Sequence, residues 1–301
     1  MHYVTFNDGG HRMVGRLDPA GGTVQPLELG LEDAGLGVLA LARLAVAGVE
    51  PQPVGPAVRL ADVTLEAPAP RPLRNVFCVG KNYHEHAAEF AKSGFDSSMS
   101  AGAAASPDYP IIFSKVPECV VPSGAEIAFD PAVSEAIDYE GELAVIIGRG
   151  GRGIAAADAM AHVWGYTIVN DITARDIQSR HKQWLLGKSF DTFCPMGPVA
   201  VTADEIDLAD TRLRTWVNGE LRQDANTRDM IFDVPAIIAA ISAGTTLIPG
   251  DVIATGTPVG VGIGFDPPKY LKAGDVVKVE IDGIGVLENP VRHLGAGGKP
   301  A

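Results

Sequence analysis

Apolar residues along this chain come in short runs, not in long helical stripes. The clearest is LAVII, residues 143–147, closed by Gly148. An unbroken aliphatic run of that length, ended by a turn residue, predicts a strand buried on both faces. NVFCVG, IIFSKV, GYTIVND, RLRTWVNGEL, DVIATGTP and DVVKVEIDGIGVLEN carry the same β-branched enrichment with turn residues between them. Helical patterns interrupt the strands at 84–92, 154–162 and 233–244. The last has Asp233 placed as an N-cap and Gly244 as its stop.

The first 65 or so residues read as a smaller unit: a strand at HYVTF, a helix at GLGVLALARLA and a further strand at VRLADVTLEAP. EAPAPRPLR, residues 66–74, reads as an extended linker. The expected organisation is a small N-terminal α/β domain over 1–70 and a larger domain over 71–301, α+β in class but mostly β. SGFDSSMSAGAAASPD, residues 93–108, is a small, polar loop. Either a mobile lid or a plain surface loop fits it.

Composition narrows the function classes. The chain has 301 residues and a net charge of −13, which argues against nucleic acid or an anionic membrane surface as partner. An anionic small substrate stays open, because a local cation can reverse the field of a site. Cys78, Cys119 and Cys194 are widely spaced and form no CxxC pair, so small buried residues in a reducing compartment are expected. The N-terminus has no apolar signal core and no run approaches a membrane span, so a cytoplasmic protein is expected.

Candidate chemistry begins at the entrance of the central apolar strand. Glu140 and Glu142 are two apart, so a strand aims both at one face. Like charges so placed repel unless a cation lies between them. Asp171, closing YTIVND, joins them if its strand lies alongside. Three carboxylates without Cys or His suit a hard cation, Mg²⁺ or Mn²⁺; surface acids at strand ends are the plainer reading. His86 and Glu89, three apart, share a helix face. They read as a base oriented by a carboxylate or as a simple ion pair. Lys188, in an apolar neighbourhood, suits an oxyanion or a snorkelling side chain. Arg175 and Gln178, one helical turn apart, suit a carboxylate. GRGGRG places Gly148, Gly150 and Gly153 in the spacing of a dinucleotide loop, with Asp171 where a ribose ligand would sit. The antiparallel look of the following strands makes a glycine-rich turn the better reading.

Taken in order, VGKNYHEHAAE, DYEGELAVIIG, GYTIVNDITARDIQ, GKSFDTFCPMGP, VNGELRQDANTRDMIF and GDVIATGTPVGVG resemble the fumarylacetoacetate hydrolase family, in particular acylpyruvate hydrolase-like members. The resemblance runs from about Asn75 to Val291 and implies a mixed β-roll and a homodimer. It implies a divalent metal on Glu140, Glu142 and Asp171, a catalytic His86–Glu89 pair and Lys188 near the metal. It also implies substrate contacts from Arg175, Gln178 and Thr257, the last identified by the resemblance alone. The expected activity is hydrolysis of an acylpyruvate-type 2,4-dioxo acid to pyruvate and a carboxylic acid. The alternative is decarboxylation or isomerisation of oxaloacetate-like or 2-hydroxydiene acids. A nicotinamide-dependent oxidoreductase and a non-catalytic oxo-acid-binding module are the remaining classes.

Overall fold

The structure, a computed structural model, describes residues 1–92, 106–295 and 299–300. The N-terminal unit holds β1 (His2–Asp8), β2 (His11–Asp18), β3 (Thr23–Pro26), β4 (Val58–Arg59) and β5 (Thr64–Glu66), with helices α1 (Leu31–Gly35) and α2 (Leu39–Val46). VRLADVTLEAP is therefore two short strands, not one. A 3₁₀ turn at Leu60–Asp62 separates them, and the Asp62 carboxylate takes the Arg59 guanidinium. The body follows with β6 (Val76–Gly80), α3 (His84–Lys92), β7 (Ile111–Lys115), β8 (Val120–Val121), β9 (Ile127–Phe129), β10 (Ile137–Asp138) and β11 (Gly141–Ile147). Next come β12 (Val163–Asn170), β13 (Thr173–Ala174), α4 (Arg175–His181), α5 (Leu185–Lys188), β14 (Cys194–Thr202), β15 (Arg212–Val217) and β16 (Glu220–Asn226). The chain closes with α6 (Val234–Ser242), β17 (Val252–Ala254), β18 (Val276–Ile281), β19 (Gly285–Gly295) and β20 (Lys299–Pro300). Of the loop expected over 93–108, residues 93–105 lie outside the described residues.

One large sheet runs β4-β3-β2-β1-β14-β12-β11-β17-β6-β7, and a second runs β16-β15-β18-β19-β20. The N-terminal strands are not a separate layer: β1 pairs antiparallel with β14, so the large sheet runs from the N-terminal strands into the body without a break. β11 lies at its centre and is buried along its whole length. Its side chains alternate between two cores, Leu143, Val145 and Ile147 facing one and Ala144 and Ile146 the other. Each fully buried aliphatic side chain is worth roughly 1.5–3 kcal/mol.

Asp233 caps α6 as expected, accepting from the Ala236 N–H at 2.8 Å. The helix expected over 154–162 is instead a 3₁₀ stretch, Ala156–His162. The tighter winding gains about 2.0 Å per residue where an α-helix gains 1.5 Å, letting a short segment cover the span to β12. The dinucleotide geometry is absent: β11 and β12 are antiparallel, and Gly151 bridges to Leu247. A βαβ cofactor site needs parallel strands around an α-helix. Among the described residues no helix is long and apolar enough to cross a membrane.

Candidate active site

The carboxylate cluster is a product of strand register. β11 pairs with β12 so that Gly141 faces Asn170. Asp171, the next residue, then lies beside Glu140, and its N–H donates to the Glu140 carbonyl at 2.8 Å. Glu140 and Glu142 share one face by the two-residue period. Gly141 between them points at the second sheet, where a Cβ would stand 2.3 Å from Thr215 Oγ1. The sequence E-G-E thus serves two surfaces: carboxylates on one, sheet-to-sheet contact on the other. All three acids are buried, and ligand oxygens from each lie within 4.8 Å of one another.

Cations close around the cluster. Lys188 Nζ donates to Glu140 Oε2 at 2.6 Å and to Asp171 Oδ2 at 2.7 Å. Arg175 Nη2 stands 2.7 Å from Glu140 Oε1, while its Nε donates to Asp138 at 2.8 Å. Burial alone would raise the Glu140 carboxyl, but Lys188 and Arg175 outweigh it and hold it at about 2. Glu142 is treated differently. Its partner among the described residues is the Gly256 N–H at 2.8 Å. Burial, and then the charges of Asp171 and Glu140, push its carboxyl well above the usual range. A buried all-oxygen cluster with one acid short of a counter-charge fits a divalent metal. Glu140, Glu142 and Asp171 would hold it.

The His86–Glu89 pair forms as its spacing predicts. His86 Nδ1 and Glu89 Oε2 are 3.1 Å apart on α3, both side chains largely buried. Asn82 ties the base of that helix down, donating to the carbonyls of Thr255 at 2.7 Å and Phe232 at 2.9 Å. His86 shares a small cavity with Lys81, Glu140, Arg175, Gln178, Lys188 and Thr257, walled on the apolar side by Phe90, Phe113 and Trp184. Trp184 meets both phenylalanines edge-on. About 20 Å³ is open, room for one water-sized guest.

Arg175 and Gln178 meet each other at 3.3 Å, but in this structure the guanidinium serves Asp138 and Glu140. Thr257 Oγ1 donates to the Gly141 carbonyl at 3.0 Å and accepts from Gln223 at 2.7 Å. Sequence reasoning missed Lys115 and Asp138. Lys115 Nζ is fully buried and donates to Asp171 Oδ1 at 2.6 Å, to the Ile172 carbonyl at 3.1 Å and to the Lys188 carbonyl. Its signal was a lysine closing the apolar strand IIFSK. Asp138 extends the alternation of acids, D-x-E-x-E, by one step. The chain turns between β10 and β11, so its carboxylate faces Arg175 and the N–H groups of Gly262 and Ile263.

Comparison with known proteins identifies the family. The family model described as "Fumarylacetoacetate (FAA) hydrolase C-terminal" matches residues 75–292. The chain is 49% identical over 233 residues to oxaloacetate tautomerase YisK of Bacillus subtilis, covering 77% of this chain and 74% of that one. It superposes on fumarylacetoacetate hydrolase from the psychrophile Exiguobacterium antarcticum with a TM-score of 0.81 at 41% identity, covering 97% and 99% of the two chains. Maleylpyruvate hydrolase from Sphingobium sp. SYK-6, solved with manganese(II) and pyruvate, is similar with a TM-score of 0.72 at 29% identity, covering 97% and 99%. The chain belongs to the fumarylacetoacetate hydrolase family.

Proposed function

We propose that this enzyme of the fumarylacetoacetate hydrolase family is divalent-metal-dependent and interconverts the keto and enol forms of an oxaloacetate-type 2-oxo dicarboxylic acid. The observation that carries the reading is the His86–Glu89 pair placed in one cavity with Glu140, whose partners Glu142 and Asp171 complete the buried cluster. The similarity to YisK, named an oxaloacetate tautomerase, favours proton transfer over the acylpyruvate hydrolysis expected from the sequence. A His–Glu pair serves both chemistries, because activating water and moving a carbon-bound proton each need an oriented base. The pair alone therefore did not decide between them.

Mg²⁺ or Mn²⁺ on Glu140, Glu142 and Asp171 would supply Lewis-acid polarisation of the 2-oxo group. The chain's own groups do the rest. With Nδ1–H donated to Glu89, His86 presents Nε2 as the base that takes and returns a proton at the carbon next to the oxo group. The Lys188 ammonium, held between Glu140 and Asp171, contributes positive potential where enolate charge develops. Gln178 and Thr257 line the cavity as polar contacts for the substrate's carboxylate. Phe90, Phe113 and Trp184 exclude bulk water, which a tautomerisation does not consume.

The test follows the enol absorbance of oxaloacetate with Mg²⁺ or Mn²⁺, together with carbon dioxide release. Accelerated keto–enol exchange that disappears on chelation supports the reading. Carbon dioxide release without accelerated exchange makes the enzyme a decarboxylase. A second reading, hydrolysis of fumarylpyruvate or maleylpyruvate, is favoured by the similarity to the Sphingobium enzyme. Pyruvate release from those acids with oxaloacetate untouched would establish it instead.

A further inference from the structure

The stretch PVGVGIGF, residues 258–265, has glycines at alternate positions that no role above explains. It lies against Glu89. The Gly260 N–H donates to both Glu89 carboxylate oxygens, at 3.1 and 3.3 Å. A Cβ built on Gly264 would stand 1.9 Å from Glu89 Oε1 and 2.2 Å from Glu89 Cδ. Gly264 is not among the positive-φ glycines, so its backbone would accept alanine. It is glycine for space, and the space is filled by the carboxylate that orients His86.

The same loop is anchored on its other side. Gly262 and Ile263 donate to Asp138 at 2.6 and 3.1 Å. Asp138 also binds Arg175, and Arg175 reaches Glu140. One carboxylate thus fixes the Glu89 seat relative to the metal cluster. We propose that Gly264, with the Gly260 amide, is a positioning residue: it admits Glu89 to a seat that holds His86 in register with the cluster. The atoms an alanine would meet, Oε1, Cδ and Cγ of Glu89, all belong to one flexible side chain, so Gly264→Ala folds by pushing Glu89 aside. His86 then stays in the cavity without its orienting partner.

The proposal rests on His86–Glu89 being the proton-transfer pair, and the experiment separates the two. In the Mn²⁺-loaded enzyme with oxaloacetate, Gly264→Ala is expected to lower kcat at least 10-fold, with KM and the Mn²⁺ Kd within about two-fold of wild type. The double variant Glu89→Gln/Gly264→Ala should be no slower than Glu89→Gln alone within about two-fold, because both changes remove one function. A wild-type kcat in Gly264→Ala, or multiplicative losses in the double variant, overturns the proposal. So does failure of Gly264→Ala to fold, since a displaced flexible side chain does not unfold a protein. Amide exchange reads the seat without any substrate. Protection of the Gly260 N–H should fall at least 10-fold in Glu89→Ala and Gly264→Ala, while Ile263 keeps its protection through Asp138. Unchanged Gly260 protection overturns the proposal; lost protection with no oxaloacetate turnover in wild type leaves the seat standing and sinks the substrate reading.

Discussion

The carboxylate cluster and the His86–Glu89 pair are neighbours built on opposite principles. The cluster stands on the backbone ladder of β11 and β12, where a one-residue slip would turn every side chain to the other face. Two of its acids, Glu140 and Asp171, are gripped by Lys115, Arg175 and Lys188. The pair rides on one helix of nine residues, joined by a single 3.1 Å contact and seated by side-chain and loop contacts. The cluster is therefore fixed by the fold. The pair is fixed by docking, on a helix that also walls the small cavity. On the proposed function, chemistry and metal binding separate along that line.

The sharpest way to break the comparison removes a ligand. Glu142→Ala should abolish metal-dependent turnover, at least 10³-fold, about 4 kcal/mol of transition-state stabilisation. It should also remove the rise in melting temperature that Mg²⁺ is expected to give the wild-type protein. Turnover within tenfold of wild type would sink the ligand set. His86→Gln comes next. Turnover should fall by roughly 10²–10⁴-fold, yet the Mg²⁺-induced rise should persist, because the cluster does not depend on the helix. Loss of that rise would show the two regions to be one.

The same contrast explains what could be read from the sequence. Glu140, Glu142 and Asp171 were legible because a period of two and a strand end place side chains by backbone alone. His86 and Glu89 were legible because helical spacing does the same. Lys115 was not, since its role arises only when β7 pairs with β6 and brings it to Asp171 from 56 positions away. Asp138 was hidden by the turn that breaks its alternation with Glu140. Thr257 came from family resemblance, and its contacts to Gly141 and Gln223 span more than thirty residues in sequence. The β1–β14 pairing was equally invisible: nothing local in HYVTF says that its partner is residues 194–202.

Lys115→Met tests how far the cluster depends on its buried cations. Burial would lower the Lys115 ammonium, but Asp171 raises it above the ordinary lysine value. Removing the charge leaves Asp171 with less compensation in a dry site, at a cost of about 3–5 kcal/mol by urea unfolding. Mg²⁺ should return part of it. A loss below about 1 kcal/mol would mean that Lys188 alone suffices.

The smallest effect is the most discriminating, because Glu140 and Glu142 should bend stability in opposite directions in the metal-free protein. Glu140 is held at about 2, below its ordinary 4.5. Its contribution is present above 4.5 and lost as pH falls from there toward 2. Glu142 is pushed up from the same 4.5. Above 4.5 the folded chain keeps a proton that the unfolded chain has released, so stability falls as pH rises through the raised value. On the proposed metal site, Mg²⁺ should remove that downward slope by taking the place of the proton. Glu142→Gln should remove it as well, without any metal, while forfeiting the Mg²⁺ increment. Urea unfolding of wild type and Glu142→Gln from pH 5 to 8, each with and without Mg²⁺, measures the difference in slope. Parallel metal-free curves would mean that Glu142 ionises in the folded state as easily as in water, and that the carboxylates do not need a cation between them.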